Sequence, residues 1–180
     1  MRMFGPVMEA GPVRMRPPLE ADLPTMVRWF EDLEVTRTLG SVFAPGEAGE
    51  REWLERVGPA KDQVAWVIEF EGRLVGTTAI VDINWVNRRG RTGILIGDRS
   101  VWGRGVASEV MRLRTAFAFD QLNLNKLTSG YMDGNDGSRK AQLKVGYREV
   151  GRSRQHFFRD GTWIDEIITE VLRDDWLRSR

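Results

Sequence analysis

Apolar residues recur along this chain in two different periods, and the change of period marks out its elements. Val64, Trp66, Ile68 and Phe70 alternate, which predicts a strand with one buried face. Glu71–Gly72 supplies a hairpin turn, and Leu74 to Ile83 reads as the returning strand, with Val75, Thr77, Ala79 and Val81 on one face. Asn87 to Gly90 is polar and turn-like, and Arg91 to Ile96 is a further strand. Val106, Val110, Leu113 and Phe117 then recur at steps of four, three and four, one face of an amphipathic helix. Leu124 to Met132 reads as a buried strand, and Asp136 to Val145 as a short helix stopped by Gly146 in the C-cap position. Tyr147 to Phe158 and Trp163 to Leu172 are two strands around the turn Arg159-Asp160-Gly161-Thr162. Upstream, residues 1–10 predict a loose lead-in, and Val13 to Arg16 a short strand closed by Pro17-Pro18. Asp22 caps a helix through about Leu33, with Leu23, Met26, Val27 and Phe30 at helical spacing. A second helix runs from Ala48 to Val57 and ends at Gly58-Pro59.

Strand runs mixed with crossover helices predict an α/β (α+β) architecture, a mixed central sheet of six to seven strands with helices on both faces. With 180 residues, 41% of them hydrophobic, the chain suits one domain over residues 1–180. Lys plus Arg number 27 against 26 Asp plus Glu, a balance that argues against a nucleic-acid partner, which needs a basic excess. With no cysteine, disulfides, thiolate metal sites and a Cys nucleophile are excluded. The single histidine, His156, has no GxSxG before a helix to serve as base, and one histidine without cysteine does not suit a catalytic zinc, so no metal is expected. The N-terminus MRMFGPVMEAGPVRM lacks the apolar run of a signal peptide, and no window approaches the ~20 apolar residues of a membrane span. The expectation is a cytoplasmic protein without a membrane partner.

The segment richest in chemistry is Trp102-Gly103-Arg104-Gly105-Val106-Ala107, between a strand and a helix. Two glycines let the backbone come close to a ligand. The helix that follows offers unpaired N–H groups and the positive end of its dipole, together a pyrophosphate cradle. A tight strand-to-helix turn that binds nothing has the same local sequence. The loop lacks the Lys-Ser/Thr ending of a P-loop and the third glycine of a dinucleotide fingerprint.

The run W-G-R-G-V-A-S-E-V resembles the acetyl-CoA pyrophosphate loop of the GNAT superfamily of N-acetyltransferases, in the form of its RimJ/RimL-type branch. The superfamily pattern is Q/R-x-x-G-x-G/A; Trp102 stands at its first position, and Gly105 and Ala107 at its two small ones. Asn135-Asp136-Gly137-Ser138 followed by Lys144-Val145-Gly146-Tyr147 is similar to the family's N-x-x-S…K-x-G-F/Y. Glu149 to Asp165 resembles its E-G-x-x-R…x-D-G-x-x-x-D ending, and Met15-Arg16-Pro17-Pro18 with Asp22-Leu23 its L-R-P…D-L opening. The resemblance thus runs from about residue 13 to residue 176.

This resemblance implies a sheet splayed at its middle, with acetyl-CoA as co-substrate lying in the gap. Ile94, Leu95 and Ile96 would offer main-chain groups to the pantetheine arm, and an N–H there would stabilise the oxyanion. Trp102, Gly103, Arg104, Gly105, Val106 and Ala107 would surround the pyrophosphate, and Arg99 with Arg104 would pair with phosphates. Asn135 would bond the pantetheine or the acceptor, and it is equally placed for its ordinary use as a helix N-cap. Ser138 would protonate the departing thiolate. Many family members carry a tyrosine acid seven residues after the asparagine; here that residue is Gln142, which leaves Ser138 or water. His156, an imidazole, is the candidate base, with Asp82, Asp133 or a water chain as alternatives. Asn135 completes the catalytic set of Ser138 and His156.

The resemblance implies direct transfer of the acetyl group to a primary amine, either a protein N-terminus or a small molecule such as a polyamine or aminoglycoside. Trp29, Phe30, Glu31, Asp32, Glu34, Trp53, Asn84 and Trp85 would form the acceptor site, where acids and aromatics suit a cationic amine. A non-catalytic acetyl-CoA sensor is the alternative of a different class. A homodimer or higher homo-oligomer is left open.

Overall fold

The computed structural model describes residues 4–178. Its elements are β1 (Met8–Ala10), β2 (Val13–Arg16), α1 (Leu23–Phe30), α2 (Leu33–Thr36), α3 (Gly46–Val57), β3 (Val64–Phe70), β4 (Arg73–Asn84), β5 (Arg89–Ile96), α4 (Val106–Asp120), β6 (Lys126–Met132), α5 (Asp136–Lys144), β7 (Arg148–Arg159), β8 (Thr162–Leu172) and α6 (Arg173–Arg178). The strands form one sheet in the order β1-β2-β3-β4-β5-β6-β8-β7. It has eight strands rather than six to seven, because Met8–Ala10 of the expected loose lead-in pairs with Val13–Met15 across a tight turn at Gly11-Pro12. Earlier in that lead-in Phe4 bridges Ala65 of β3, and residues 1–3 lie outside the described residues. Every neighbouring pair is antiparallel except β5 with β6, which α4 connects as a crossover.

Helices cover both faces. Trp66 and Ile68 of β3 face a large apolar cluster that includes Val106, Val110, Met111 and Phe119 of α4, while Val67 between them packs with Leu23, Met26 and Trp29 of α1. The alternation in β3 therefore marks a strand buried on both faces, not one. In β4 the register passes from Ile68↔Gly76 to Glu69↔Leu74, which leaves Val75 as the extra residue of a bulge. Val75 is consequently buried in the α4-side cluster, while Thr77, Ala79 and Val81 are only half-buried. The helix expected from Asp22 to Leu33 is divided into α1 and α2, since the Asp32 side chain accepts from Glu34 N and restarts the turn as an N-cap. The deepest stripe of α4 holds two polar residues, Arg114 and Thr115, so Leu113 and Phe117 are only partly covered. Among the described residues, no helix is long and apolar enough to cross a membrane.

One ion cluster ties the first helix to the sheet. Arg16 donates two bonds of 2.8 Å to Asp22 and one of 2.7 Å to Glu69. Those carboxylates push the guanidinium pKa further up. Asp22 is 6% exposed and also accepts from Leu19 N, so the turn into α1 depends on it. Asp22→Ala should lower the unfolding free energy by about 2 to 4 kcal/mol, because a nearly buried cation loses its bidentate partner. Chemical denaturation of parent and variant measures this.

Candidate active site

The parallel ladder between β5 and β6 holds only for Arg89↔Lys126, Gly90↔Leu127 and Arg91↔Thr128. At its end, side-chain hydroxyls take over: Thr92 Oγ1 donates to the Thr128 carbonyl at 3.2 Å, and Ser129 Oγ to the Thr92 carbonyl at 3.1 Å. Beyond these bonds the strands part around a cleft of about 1100 Å³. Gly93 to Ile96 line one wall, and Ser129 to Met132 the other.

The main chain of β5 alternates in direction, as any strand does. Thr92 turns its carbonyl toward Ser129, and Ile96 turns its own toward the Trp102 indole N–H, which donates at 2.9 Å. Ile94, at the same parity, therefore presents its N–H and carbonyl to the cleft. Leu95 pairs across to Thr77 of β4 and sends its side chain to the α1-side cluster. Of the three residues expected to offer main-chain groups, Ile94 does so, Ile96 has its carbonyl bonded to Trp102, and Leu95 faces the other way.

At the end of the cleft nearest α4, Gly103 has φ 75° and Gly105 φ 82°. Gly105 is the left-handed N-cap of α4, a conformation that a residue with a Cβ adopts at a cost. A Cβ on either glycine would meet nothing within 4 Å, so the surface above the loop is open. Trp102, Gly103, Gly105, Val106 and Ala107 all line the cleft. Arg104 does not: it pairs with Glu71 at 2.9 Å and lies over the Phe70 ring at 4.5 Å. Arg99 is also turned aside, bonding Asp32 at 3.3 Å in a separate hollow of about 590 Å³ under α1. The loop thus offers backbone N–H groups and a helix end, with the arginine charges directed elsewhere.

α5 and the β7–β8 hairpin bring the remaining groups. Asn135 Oδ1 accepts from Ser138 N at 3.0 Å, the ordinary N-cap bond, and both residues line the cleft. His156 lies on the opposite wall, with Nδ1 3.2 Å from Ser153 Oγ and Nε2 3.7 Å from Glu166 Oε2. Glu166 is an acid the sequence reading did not include. Its side chain is 12% exposed and accepts from Arg91 at 3.2 Å. It lies so close over β6 that a Cβ on Gly130 would come within 2.4 Å of Oε1. β8 is flanked on both sides by strands, and a carboxylate in such a strand is the signal, which needs the strand order to be visible. Tyr131, a phenol on the cleft wall, donates to Glu149 at 2.7 Å; burial first, then that bond, pushes its pKa up to about 12.

The proposed acceptor residues are not gathered here. Trp29 and Trp53 belong to the α1-side core, Trp85 donates to the Lys61 carbonyl, and Asn84 accepts from Asn87 N. Phe30, Glu31 and Asp32 also lie off the cleft, and of the whole set only Glu34 lines it. Asp133 is paired with Arg152 at 2.7 Å, and Asp82 is exposed on β4 outside the cleft. Among the described residues no group of three or more His, Asp or Glu is placed to hold a metal ion.

A strand pair that separates beside a left-handed glycine cap meets its counterpart in known sequences. The family model described as "Acetyltransferase (GNAT) domain" matches residues 13–148. The chain belongs to the GNAT acetyltransferase family. The spermidine N(1)-acetyltransferase of Escherichia coli K12 is 28% identical over 112 residues, 62% of this chain and 60% of that one. YdaF of Bacillus subtilis, a protein provisionally named a ribosomal N-acetyltransferase, is 26% identical over 107 residues. That match spans 59% of this chain and 58% of YdaF, so the chain aligns with about three fifths of these relatives' length. The spermidine N-acetyltransferase of Vibrio cholerae, solved with CoA and spermine, superposes with a TM-score of 0.85 at 18% identity. That superposition covers 93% of this chain and 99% of the other and establishes a shared fold.

Family members draw on acetyl-CoA, and the open left-handed loop fits its pyrophosphate. Gly105→Val should strain the cap by roughly 1–2 kcal/mol and place a branched side chain in the open space above it. We expect acetyl-CoA affinity to fall at least about tenfold in calorimetric titration, with the circular dichroism of the folded chain retained. Parental affinity in the variant would overturn the loop assignment.

Proposed function

We propose that this protein transfers the acetyl group of acetyl-CoA to the amine of a polypeptide N-terminus. The observation that carries the reading is the single cleft onto which the glycine loop, Ile94, Ser138 and the His156–Glu166 pair all open. Acetyl-CoA supplies the activated thioester. The loop N–H groups from Gly103 to Ala107 hold its pyrophosphate. The Ile94 N–H faces the region where a carbonyl oxygen gains charge, the placement that an oxyanion donor needs. His156, with its Nδ1 proton shared with Ser153, accepts the amine proton at Nε2, and Glu166 stabilises the imidazolium. Ser138 donates to the sulfur. A binding-only sensor has no use for a base and a donor on opposite walls of one cleft.

The choice of acceptor rests on charge. The carboxylates on the cleft wall are partnered: Glu166 by Arg91 and His156, and Glu34 by Arg37 at 3.5 Å. A polyamine needs several unpartnered acids, whereas a peptide carries one cationic amine followed by neutral amides. Thiol release with peptides, polyamines and aminoglycosides as acceptors tests the choice, and preference for spermidine over every peptide would reverse it.

Two substitutions test the chemistry. Ser138→Ala should lower kcat by about a hundredfold or more and change acetyl-CoA affinity little. His156→Gln should lower kcat/KM by about a hundredfold or more. A parental kcat/KM in that variant would move the base to Glu166 or water.

A further inference from the structure

We infer that Gln142 is a positioning residue that sets the direction of the Ser138 hydroxyl, so that this hydroxyl donates into the cleft; the inference rests on the acetyl-transfer reading above. Gln142 is 2% exposed on the face of α5 that carries Ser138 four residues earlier. Its amide orientation is fixed by its neighbours. Nε2 lies 3.4 Å from the Gly130 carbonyl, a group that can only accept. Oε1 accepts the hydroxyl of Thr169, which is 0% exposed. Nε2 is then also the atom facing Ser138 Oγ, at 3.1 Å.

The consequence for the serine is one of polarity. Its oxygen receives a hydrogen bond from Gln142, and its backbone N–H is taken by Asn135. Among the described residues its own proton has no acceptor, and Ser138 lines the cleft. An amide has no proton to release at neutral pH, so Gln142 cannot replace a phenol. It can make the serine the donor instead. In the overall step the amine N–H and the C–S bond break, and C–N and S–H bonds form. His156 takes the proton of the nitrogen. The serine hydroxyl passes its proton to the sulfur and is reprotonated from water at the cleft mouth, and the proton held by His156 returns to that water, so no hydroxide or charge is left over.

Gln142→Glu tests this with nearly constant shape. A carboxylate only accepts, so the serine proton turns back toward α5. With acetyl-CoA and either an alanine-initiated peptide or spermidine as acceptor, kcat should fall about tenfold to a hundredfold while the acetyl-CoA KM moves less than about threefold. Gln142→Met, which removes the amide altogether, should also lower kcat and guards against a fold defect peculiar to the buried acid. In a Ser138→Ala background both changes should leave kcat within about twofold, since residues in one relay are not additive. Equal losses with and without Ser138, or a parental kcat in both variants, would overturn the inference and leave the acetyl-transfer reading standing. A parental kcat in Ser138→Ala alone would remove the serine donor and the inference with it. Absence of thiol release from the parent with either acceptor would overturn both.

Discussion

Arg89, Gly90 and Arg91 of β5 find parallel partners in β6, and Thr92 does not. The hydroxyls of Thr92, Thr128 and Ser129 complete the last rungs with side chains, which lets the ladder end without orphaned groups at the fork. The separation is inexpensive because each strand keeps its other neighbour. β5 remains paired with β4 as far as Ile96, and β6 with β8 from Lys126 to Met132. What the fork leaves open are the inner edges alone, where the groups of Ile94 need water or an extended ligand bearing amides. The site follows from an interruption of the sheet, and the glycine loop, α5 and the hairpin are arranged around it.

The crossover helix has two roles at this fork. Its N-terminus supplies the loop, and its middle supports β5 from beneath. Arg114, 1% exposed, donates to the Gly93 carbonyl at 2.7 Å and to Thr78 Oγ1 at 2.6 Å. The next residue, Thr115, lies 3.4 Å from the Tyr147 hydroxyl, which in turn is 3.4 Å from Thr92 Oγ1. Burial lowers the Arg114 pKa, the direction expected for a cation removed from water. A charge so placed costs several kcal/mol unless hydrogen bonds offset it. Here two such bonds, both from one guanidinium nitrogen while Nε finds no partner among the described residues, fall on the strand just past the fork and its neighbour, and they hold one wall of the cleft.

Much of this was legible in the sequence, and the reasons for success and failure differ by residue. The Asp160-Gly161 turn was readable because both residues adopt positive φ, which Asp and Gly favour in two-residue hairpins, and the Glu71-Gly72 turn through its glycine alone. The loop at Gly103 and Gly105 was readable through its family pattern. The buried stripe of α4 was misread because hydrophobic periodicity cannot see Arg114 and Thr115, which are buried through hydrogen bonds. Val75 was assigned to the wrong face because a bulge shifts parity by one and leaves no mark in composition. Glu166 was missed for a related reason: a carboxylate on a strand looks solvated until Gly130 of the neighbouring strand is seen to make room for it. The acceptor aromatics failed in the opposite sense, since Trp29 and Trp53 are apolar groups in an apolar core.

β8 shows how one strand can serve both halves of the chemistry. Glu166 and Thr169 are three residues apart, so the two-residue period of a strand puts them on opposite faces. On one face Glu166 meets Arg91 and His156, the pair proposed to take up the nucleophile's proton. On the other, Thr169 meets Gln142 and, through it, Ser138, the proposed donor to the leaving sulfur. Acyl substitution needs these two acts on different sides of the carbonyl carbon. The register Ser129↔Thr169 and Met132↔Glu166 fixes both groups relative to the open wall of β6. A slip of one residue would exchange the faces and bring the carboxylate toward α5 and the threonine toward the acceptor. The antiparallel pairing of β6 and β8 therefore does more than close the sheet: it holds the proposed base and the proposed donor on separate sides of the cleft.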